Sequence, residues 1–338
     1  MQFQSTLDAL KHPPPSYQQP SVDLPYELDV VEQKLSNGSF SGQYDFDIAL
    51  HRLEILAHDF HLNIMLPTVG IFAFQLRDSQ SLVSISSDGK STPKVYSYGD
   101  ITATASSTKK PLPIMTLGGQ STFDYLKNFA AEKQASGLLE PHADWNDLMD
   151  SPFHTFKNTL PEIIRSSFFT SDALEGTLQD GSFFQWKYVA QVQVDLTKTQ
   201  LTSGQEIYDN WIIKQHSDPD PQLTEPSLDE NTNTAPTVSP SSTTLSGIPG
   251  LPTNPLTIQD SFGVQNPCSC HIIDDGIAVL SLPTFDSDLL GFSLHIQNFI
   301  TKAKEKGAQK VIIDLQTNSG GKVILGFDAF KQVYQLKS

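Results

Sequence analysis

Positive charge is what this sequence has least of. Its 22 lysines and arginines face 38 aspartates and glutamates, giving a formal net charge of −16 and a pI near 4.8. No Lys/Arg cluster offsets that balance locally, so nucleic acid is not an expected partner. Long apolar runs are missing as well. No stretch of about 18 apolar residues occurs, so no membrane span is expected. The opening MQFQSTLDAL has neither the basic nor the apolar region of a signal peptide. Cysteine is almost absent: Cys268 and Cys270 are the two in the chain. A single intervening residue suits neither a zinc knuckle nor a redox pair, and a mutual disulfide would be strained. Two free or separately paired thiols are expected, and they do not fix a compartment.

What is present is enough for two domains with cores of their own, in 338 residues of which 38% are hydrophobic. The N-terminal part reads as helical pieces. Leu7 and Leu10 precede the break at Pro13-Pro14-Pro15, Leu28, Val31 and Leu35 form a second stripe, and Phe46, Ile48, Leu53, Ile55 and Leu56 a third. Asn37-Gly38-Ser39 is a glycosylation sequon, relevant only to a secreted protein. From Leu62 the pattern changes to short β runs at 71–76, 82–86, 95–98 and 114–117, followed by a helical face of Phe123, Leu126, Phe129 and Ala130. Alternation of Phe184, Trp186, Tyr188, Ala190, Val192 and Val194 continues the β pattern. Small β units around one helix are how peptide-binding modules of the PDZ type are built, and these bind by adding a strand at a sheet edge. Between His216 and Thr257 the composition shifts to Pro, Ser, Thr and Asn, which predicts a disordered linker or insertion.

After that segment, residues 277–282 read as a strand and Asp286-Ser287-Asp288 as N-cap candidates. Leu289, Phe292, Ile296, Phe299, Ile300 and Ala303 read as the buried face of a helix ending before Gly307. A second strand follows at Val311, Ile312, Ile313 and Leu315, apolar enough to expect cover on both faces. Strand, helix and strand make a right-handed βαβ unit. Two parallel strands alone would leave open edges, with only residues 323–338 remaining to cover them.

The second strand runs into Gln316-Thr317-Asn318-Ser319-Gly320-Gly321. Val323, Ile324, Phe327 and Phe330 then recur at helical spacing. Paired glycines at a helix N-terminus let backbone N–H groups converge where the dipole favours negative charge, a plausible anion or oxyanion site. Most such turns are only connections. A Walker loop does not fit, since Gln316 stands at the first glycine and Val323 at the Mg-binding hydroxyl, and the dinucleotide glycine spacing is absent. In His58-Asp59-Phe60-His61 the histidines are three apart, whereas the zincin pair needs four, so no metal is expected. One of them could act as a general base.

Residues 277–285 and Ile312-Ile313-Asp314-Leu315-Gln316-Thr317-Asn318-Ser319-Gly320-Gly321 together resemble the tail-specific (C-terminal processing) serine protease family. The likeness is to its fungal branch, similar to the chlamydial protease-like activity factor. The family's Asp-Leu-Arg-x-Asn-x-Gly-Gly is matched here except at Gln316, and its His-Asp-Gly-His except at Phe60. Residues 82–100 and Pro141-His142-Ala143-Asp144-Trp145-Asn146 resemble its PDZ-like region.

The resemblance implies an α/β chain, α+β overall. It would have N-terminal helices at 1–61, a PDZ-like β-rich domain at 62–215, the linker at 216–257, and the start of a ClpP/crotonase-like protease core at 258–338. It implies an endopeptidase of polypeptide substrates with no cofactor, with self-association left open. His61 would be the general base, the Gly320 and Gly321 amides oxyanion donors, and Asp314 with Asn318 supports of the turn. The family's nucleophilic serine and orienting acid lie well C-terminal of this turn, whereas Ser338 follows Gly321 by only 17 residues. Ser319 falls at a variable motif position and no Gly-x-Ser-x-Gly elbow occurs. The expectation is therefore a catalytically incomplete, truncated chain, extracellular by resemblance. The alternative is a non-catalytic peptide-binding protein using the PDZ-like module. A crotonase-like acyl-CoA role rests on fold analogy alone.

Overall fold

The computed structural model describes residues 4–59, 62, 64, 66–77, 80–104, 108–133, 138, 140–151, 154, 160–166, 171–192, 203–209, 257–258, 269–274, 276–318 and 320–334. The expected linker, apart from Thr257, lies outside them.

Three helices open the chain: α1 (Leu7–Lys11), α2 (Leu24–Ser36) and α3 (Gln43–Leu56). Asp23 caps α2 by accepting from the Tyr26 N–H, and Pro25 sits in the first turn, where its missing donor costs nothing. Val22, Leu24, Val31, Leu53, Leu56 and Ala57 make a local core. Asp47 ties α3 to the next helix. Its buried carboxylate accepts from the Thr68 N–H at 2.9 Å and the Thr68 hydroxyl at 2.6 Å, capping the short α4 (Pro67–Ile71). Such charge-assisted bonds to an orphan helix N–H are among the stronger local ties.

The β-rich part contains β1 (Phe72–Gln75), β2 (Leu82–Ile85), β3 (Lys94–Ser97), α5 (Tyr98–Thr104), β4 (Ile114–Leu117), β5 (Gln120–Ser121), α6 (Thr122–Lys133), α7 (Pro141–Leu148), β6 (Arg165–Ser166), β7 (Ala173–Leu178), β8 (Phe183–Lys187) and β9 (Val189–Val192). Its sheets are small and antiparallel: β6-β1-β9, the hairpin β2-β3, and β5-β4-β7-β8. One core holds them together, with Leu82, Leu117, Leu126, Leu148, Ile163 and Ile164 fully buried. Each such side chain contributes about 1.5–3 kcal/mol by leaving water. The expected strand at 95–98 is displaced by one residue, because Tyr98 already opens α5. Phe123, expected on the buried face of α6, is 62% exposed and lies against Trp145. The short helix α8 (Gly204–Ile207) follows, capped by Ser203.

The last part is a mixed sheet of β10 (Thr257–Ile258), β11 (Ser269–Asp274), β12 (Ile277–Ser281) and β13 (Lys310–Asp314), in that order. Only β12 and β13 are parallel. Helix α9 (Leu289–Glu305) lies between them in the chain, and α10 (Val323–Tyr334) follows the turn after β13. The Gly291 N–H donates to Asp288 at the start of α9, so Asp288 is the cap among the three candidates. Phe292, Ile296, Phe299 and Ala303 are buried against Leu280 and Leu282. Leu289 is not, at 52% exposed.

The structure corrects two expectations. The βαβ pair is not left with two strands, since β11 and β10 extend the sheet on the far side of β12. The β13 run is not covered on both faces, because Ile312 is 46% exposed at the sheet's edge among the described residues. The helical stripe of α10 is likewise turned outward. Val323, Ile324, Phe327 and Phe330 are exposed, while Leu325 and Ala329 enter the core.

Candidate functional site

The site forms where β12 and β13 end side by side, with Ser281 in register with Asp314. The carboxyl ends of parallel strands are where open α/β sheets place their ligands. Asp314 closes the strand end. Its carboxylate accepts from the Gln316 N–H at 3.0 Å and the Ser281 hydroxyl at 3.3 Å, while its carbonyl accepts from the Leu282 N–H at 2.9 Å. Asn318 then bridges the two chain segments. Its Nδ2 donates to the Leu282 carbonyl at 2.7 Å, and its Oδ1 accepts from the Gly320 N–H at 2.7 Å.

Beyond Asn318 the turn is stitched to the loop after β12. The Phe285 N–H and the Thr284 hydroxyl both donate to the Gly320 carbonyl, at 2.7 and 3.2 Å, and the Lys322 N–H donates to the Phe285 carbonyl at 3.0 Å. This close approach explains the glycines. Gly321 has φ +130°, and a Cβ there would lie 2.4 Å from the Phe285 carbonyl carbon and 2.5 Å from the Asp286 nitrogen. Gly320 has φ +85° with open space around it, so it needs backbone freedom rather than room.

The two amides differ in availability. The Gly320 N–H is committed to Asn318, whereas the Gly321 N–H has no hydrogen-bond partner among the described residues. That free donor lies two residues before α10, within reach of the positive end of its dipole. The Lys322 ammonium donates to the Ser287 carbonyl at 2.8 Å, which ties the residue after Gly321 to the loop before α9. The arrangement suits a developing negative charge on oxygen.

The structure also brings in a pair of side chains that local sequence reading did not find. Ser151 Oγ lies 3.1 Å from His154 Nδ1 and 3.4 Å from Thr317 Oγ1. Thr317 has φ +56°, a left-handed conformation unusual for a β-branched residue. His154 is buried, and that burial holds its imidazole below its ordinary pKa although the carboxylates of Asp147 and Asp150 push the other way. The contact spans 166 residues and has no local sequence signature.

Of the histidine segment, His61 and Phe60 lie outside the described residues, as does Ser319. His58 follows α3 at φ +46°, with neither ring nitrogen hydrogen-bonded among the described residues. Burial lowers its pKa to about 4, which makes it a weak base. Asp59 accepts from Gln4 Nε2 at 2.9 Å. Among the described residues no group of three or more His, Cys, Asp or Glu could hold a metal ion, and no helix is long and apolar enough to cross a membrane. Cys270 is buried, its Sγ 3.3 Å from His295 Nε2, while Cys268 lies outside the described residues.

Residues 75–197 match the family model described as a CPAF-like PDZ domain. Two curated relatives, the Peptidase S41 family proteins phomP1′ and phomP1 of Diaporthe leptostromiformis, are each 30% identical to this chain, over 95% of its length and 48% of theirs. The chain thus spans about half the length of the curated relatives it matches. These likenesses bear out the resemblance to the tail-specific serine proteases: over nearly its whole length the chain is similar to S41 peptidases, and its residues 75–197 are similar to a CPAF-like PDZ domain.

Proposed function

We propose that this chain supplies the peptide-holding module and the oxyanion-stabilising turn of a serine-type endopeptidase acting on polypeptides. The observation that carries the reading is the unpartnered Gly321 N–H, fixed at a helix N-terminus by Asp314, Asn318 and the Phe285 segment. When a serine oxygen attacks a peptide carbonyl, negative charge moves to the carbonyl oxygen. A donor already aimed at that point stabilises the tetrahedral intermediate by roughly a few kcal/mol without reorganising. Gly320 would join it if the Asn318 carboxamide turned aside. His61 would take the serine proton as general base and return it to the leaving amine.

In this reading the nucleophilic serine and the orienting acid belong to sequence outside these 338 residues, which are catalytically incomplete by themselves. The outward apolar residues of β13 and α10 support it, because Ile312, Val323, Phe327 and Phe330 offer a surface on which further polypeptide of such a core would pack. Extracellular placement is part of the same proposal. A second reading, a non-catalytic protein that binds peptides by strand addition, is favoured by the PDZ match and by β8, which lies at the end of its sheet among the described residues.

The test compares this chain with the natural gene product, weighed intact, for labelling by a fluorophosphonate and for casein cleavage. The peptidase reading expects the natural product to be labelled and active, His61→Ala to abolish cleavage, and the 338-residue chain to do neither. A natural product that binds peptides but is neither labelled nor active would establish the second reading instead.

A further inference from the structure

We propose that Ser151 and His154 are a positioning pair for the glycine turn: a one-way hydrogen-bond chain from His154 through Ser151 to Thr317 holds Thr317 left-handed, and with it Asn318 and the Gly320 and Gly321 amides. The pair acts through Thr317 and touches no reacting atom.

The direction of the chain follows from counting protons. The Thr317 hydroxyl lies 2.6 Å from the Gln316 carbonyl, which can only accept, so its single proton is used there. Towards Ser151 it must therefore accept. The Ser151 proton then goes to Thr317, and Ser151 Oγ in turn must accept from His154. The contacting nitrogen, Nδ1, therefore carries a hydrogen. The reverse chain, from Thr317 through Ser151 to His154, would need a second proton on the Thr317 hydroxyl.

Both ends of the chain are anchored. Ser151 follows Asp150, whose N–H donates to the Leu82 carbonyl at 2.6 Å and whose carboxylate accepts from the Ser81 hydroxyl at 2.7 Å. That fixes Ser151 to the beginning of β2, inside the residues that match the PDZ model. At the other end, a threonine at φ +56° carries a steric cost that persists only where its surroundings hold it. Asn318 is the next residue, and it is Asn318 that grips Gly320 and Leu282. The geometry of the turn is therefore set in part from the peptide-binding module, through contacts that do not involve the turn's own strand.

The meaning given to the turn rests on the peptidase reading; the coupling does not. The experiment uses the whole 338-residue chain, labelled with ¹⁵N, and requires no cleavage. The ring nitrogens of His154 should report a hydrogen on Nδ1. Ser151→Ala should speed exchange of the Gly320 amide about tenfold, the effect of losing one hydrogen bond's worth of order, and Ser151→Thr, which keeps the hydroxyl, should restore it. In a Thr317→Gly background, where left-handed backbone needs no support, Ser151→Ala should change nothing further. A neutral His154 protonated on Nε2 alone overturns the proposal. So does an unchanged Gly320 exchange rate in Ser151→Ala, or an equal effect of Ser151→Ala with and without Thr317. If the coupling is found while the natural gene product proves inert to casein and fluorophosphonate, the peptidase reading fails and this inference stands.

Discussion

Asn318 and Gly320 are locked together: the Gly320 N–H donates to Asn318 Oδ1 at 2.7 Å, while the same carboxamide reaches back through Nδ2 to the Leu282 carbonyl at 2.7 Å. One side chain thus ties the turn to the neighbouring parallel strand's exit and occupies one of its two amides. Asn318→Ala removes both bonds and frees the Leu282 carbonyl. A loss of about 1–3 kcal/mol is expected, measured as a lowered urea midpoint with an unchanged slope. Asn318→Asp keeps an acceptor for Gly320 but turns a carboxylate oxygen toward the Leu282 carbonyl, and should cost at least as much as Asn318→Ala.

The adjacent glycines should separate cleanly. Gly320→Ala meets no atom within 4 Å and carries only the strain of φ +85°, about 1–2 kcal/mol. Gly321→Ala adds a collision with the Phe285 and Asp286 backbone at 2.4–2.5 Å, which cannot be relieved by rotating a side chain. It should cost clearly more than Gly320→Ala in thermal or urea unfolding. Equal costs would mean that the loop after β12 yields easily, and that the turn is less rigid than its hydrogen bonds suggest.

Much of this turn was legible before the structure, because β-branched residues, two glycines and a helical stripe succeed one another within about twenty positions. The βαβ order was legible for the same reason. What local pattern could not supply was everything set by distant partners. Strand β11, Ser-Cys-His-Ile-Ile-Asp, has no clear period, so it gave no signal of its own although its partner β12 follows at once, with Asp274 paired to Ile277. Strand β7, with Glu175, Gly176 and Thr177 at its centre, gave no alternation to read. The Ser151 to Thr317 contact lies 166 residues apart. Nor does an apolar run say which of its faces has a neighbour. Ile312 and Phe327 carry the composition of buried residues yet stand exposed.

That outward face gives a third prediction. Leu325 is fully buried, so Leu325→Ala should cost about 2–5 kcal/mol through lost burial and an unfilled cavity. Phe327→Ser and Phe330→Ser, on the exposed side of the same helix, should stay within about 0.5 kcal/mol of the parent. They should also lower the fluorescence of an apolar dye bound to the native chain. Large destabilisation by either phenylalanine change would show that the face is packed within this chain, and would remove its support for further polypeptide docking there.

Asp144 gives the chain a stability that depends on pH. It sits in α7 with 1% of its surface exposed, its carboxylate accepting from Gln18 Nε2 and lying near the Leu138 backbone N–H, with Oδ1 forming no hydrogen bond of good geometry among the described residues. Burial raises its pKa to about 7, the Gln18 bond opposes the rise, and the nearby Asp147 carboxylate adds to it. In the unfolded chain the group ionises near pH 4. Between those values the folded form holds a proton that the unfolded form has released, so stability falls as pH rises from about 4 to about 7 and then levels off. Asp144→Asn removes this titration at the cost of placing an amide donor where Oδ1 forms no hydrogen bond of good geometry among the described residues. The variant should be the less stable of the two at pH 5, with the gap closing or reversing at pH 8. Urea midpoints of both chains across that range check it. A parent chain whose midpoint tracks the variant's at every pH would show that Asp144 is ionised and solvated in the folded protein, and that the Gln18 segment does not cover it.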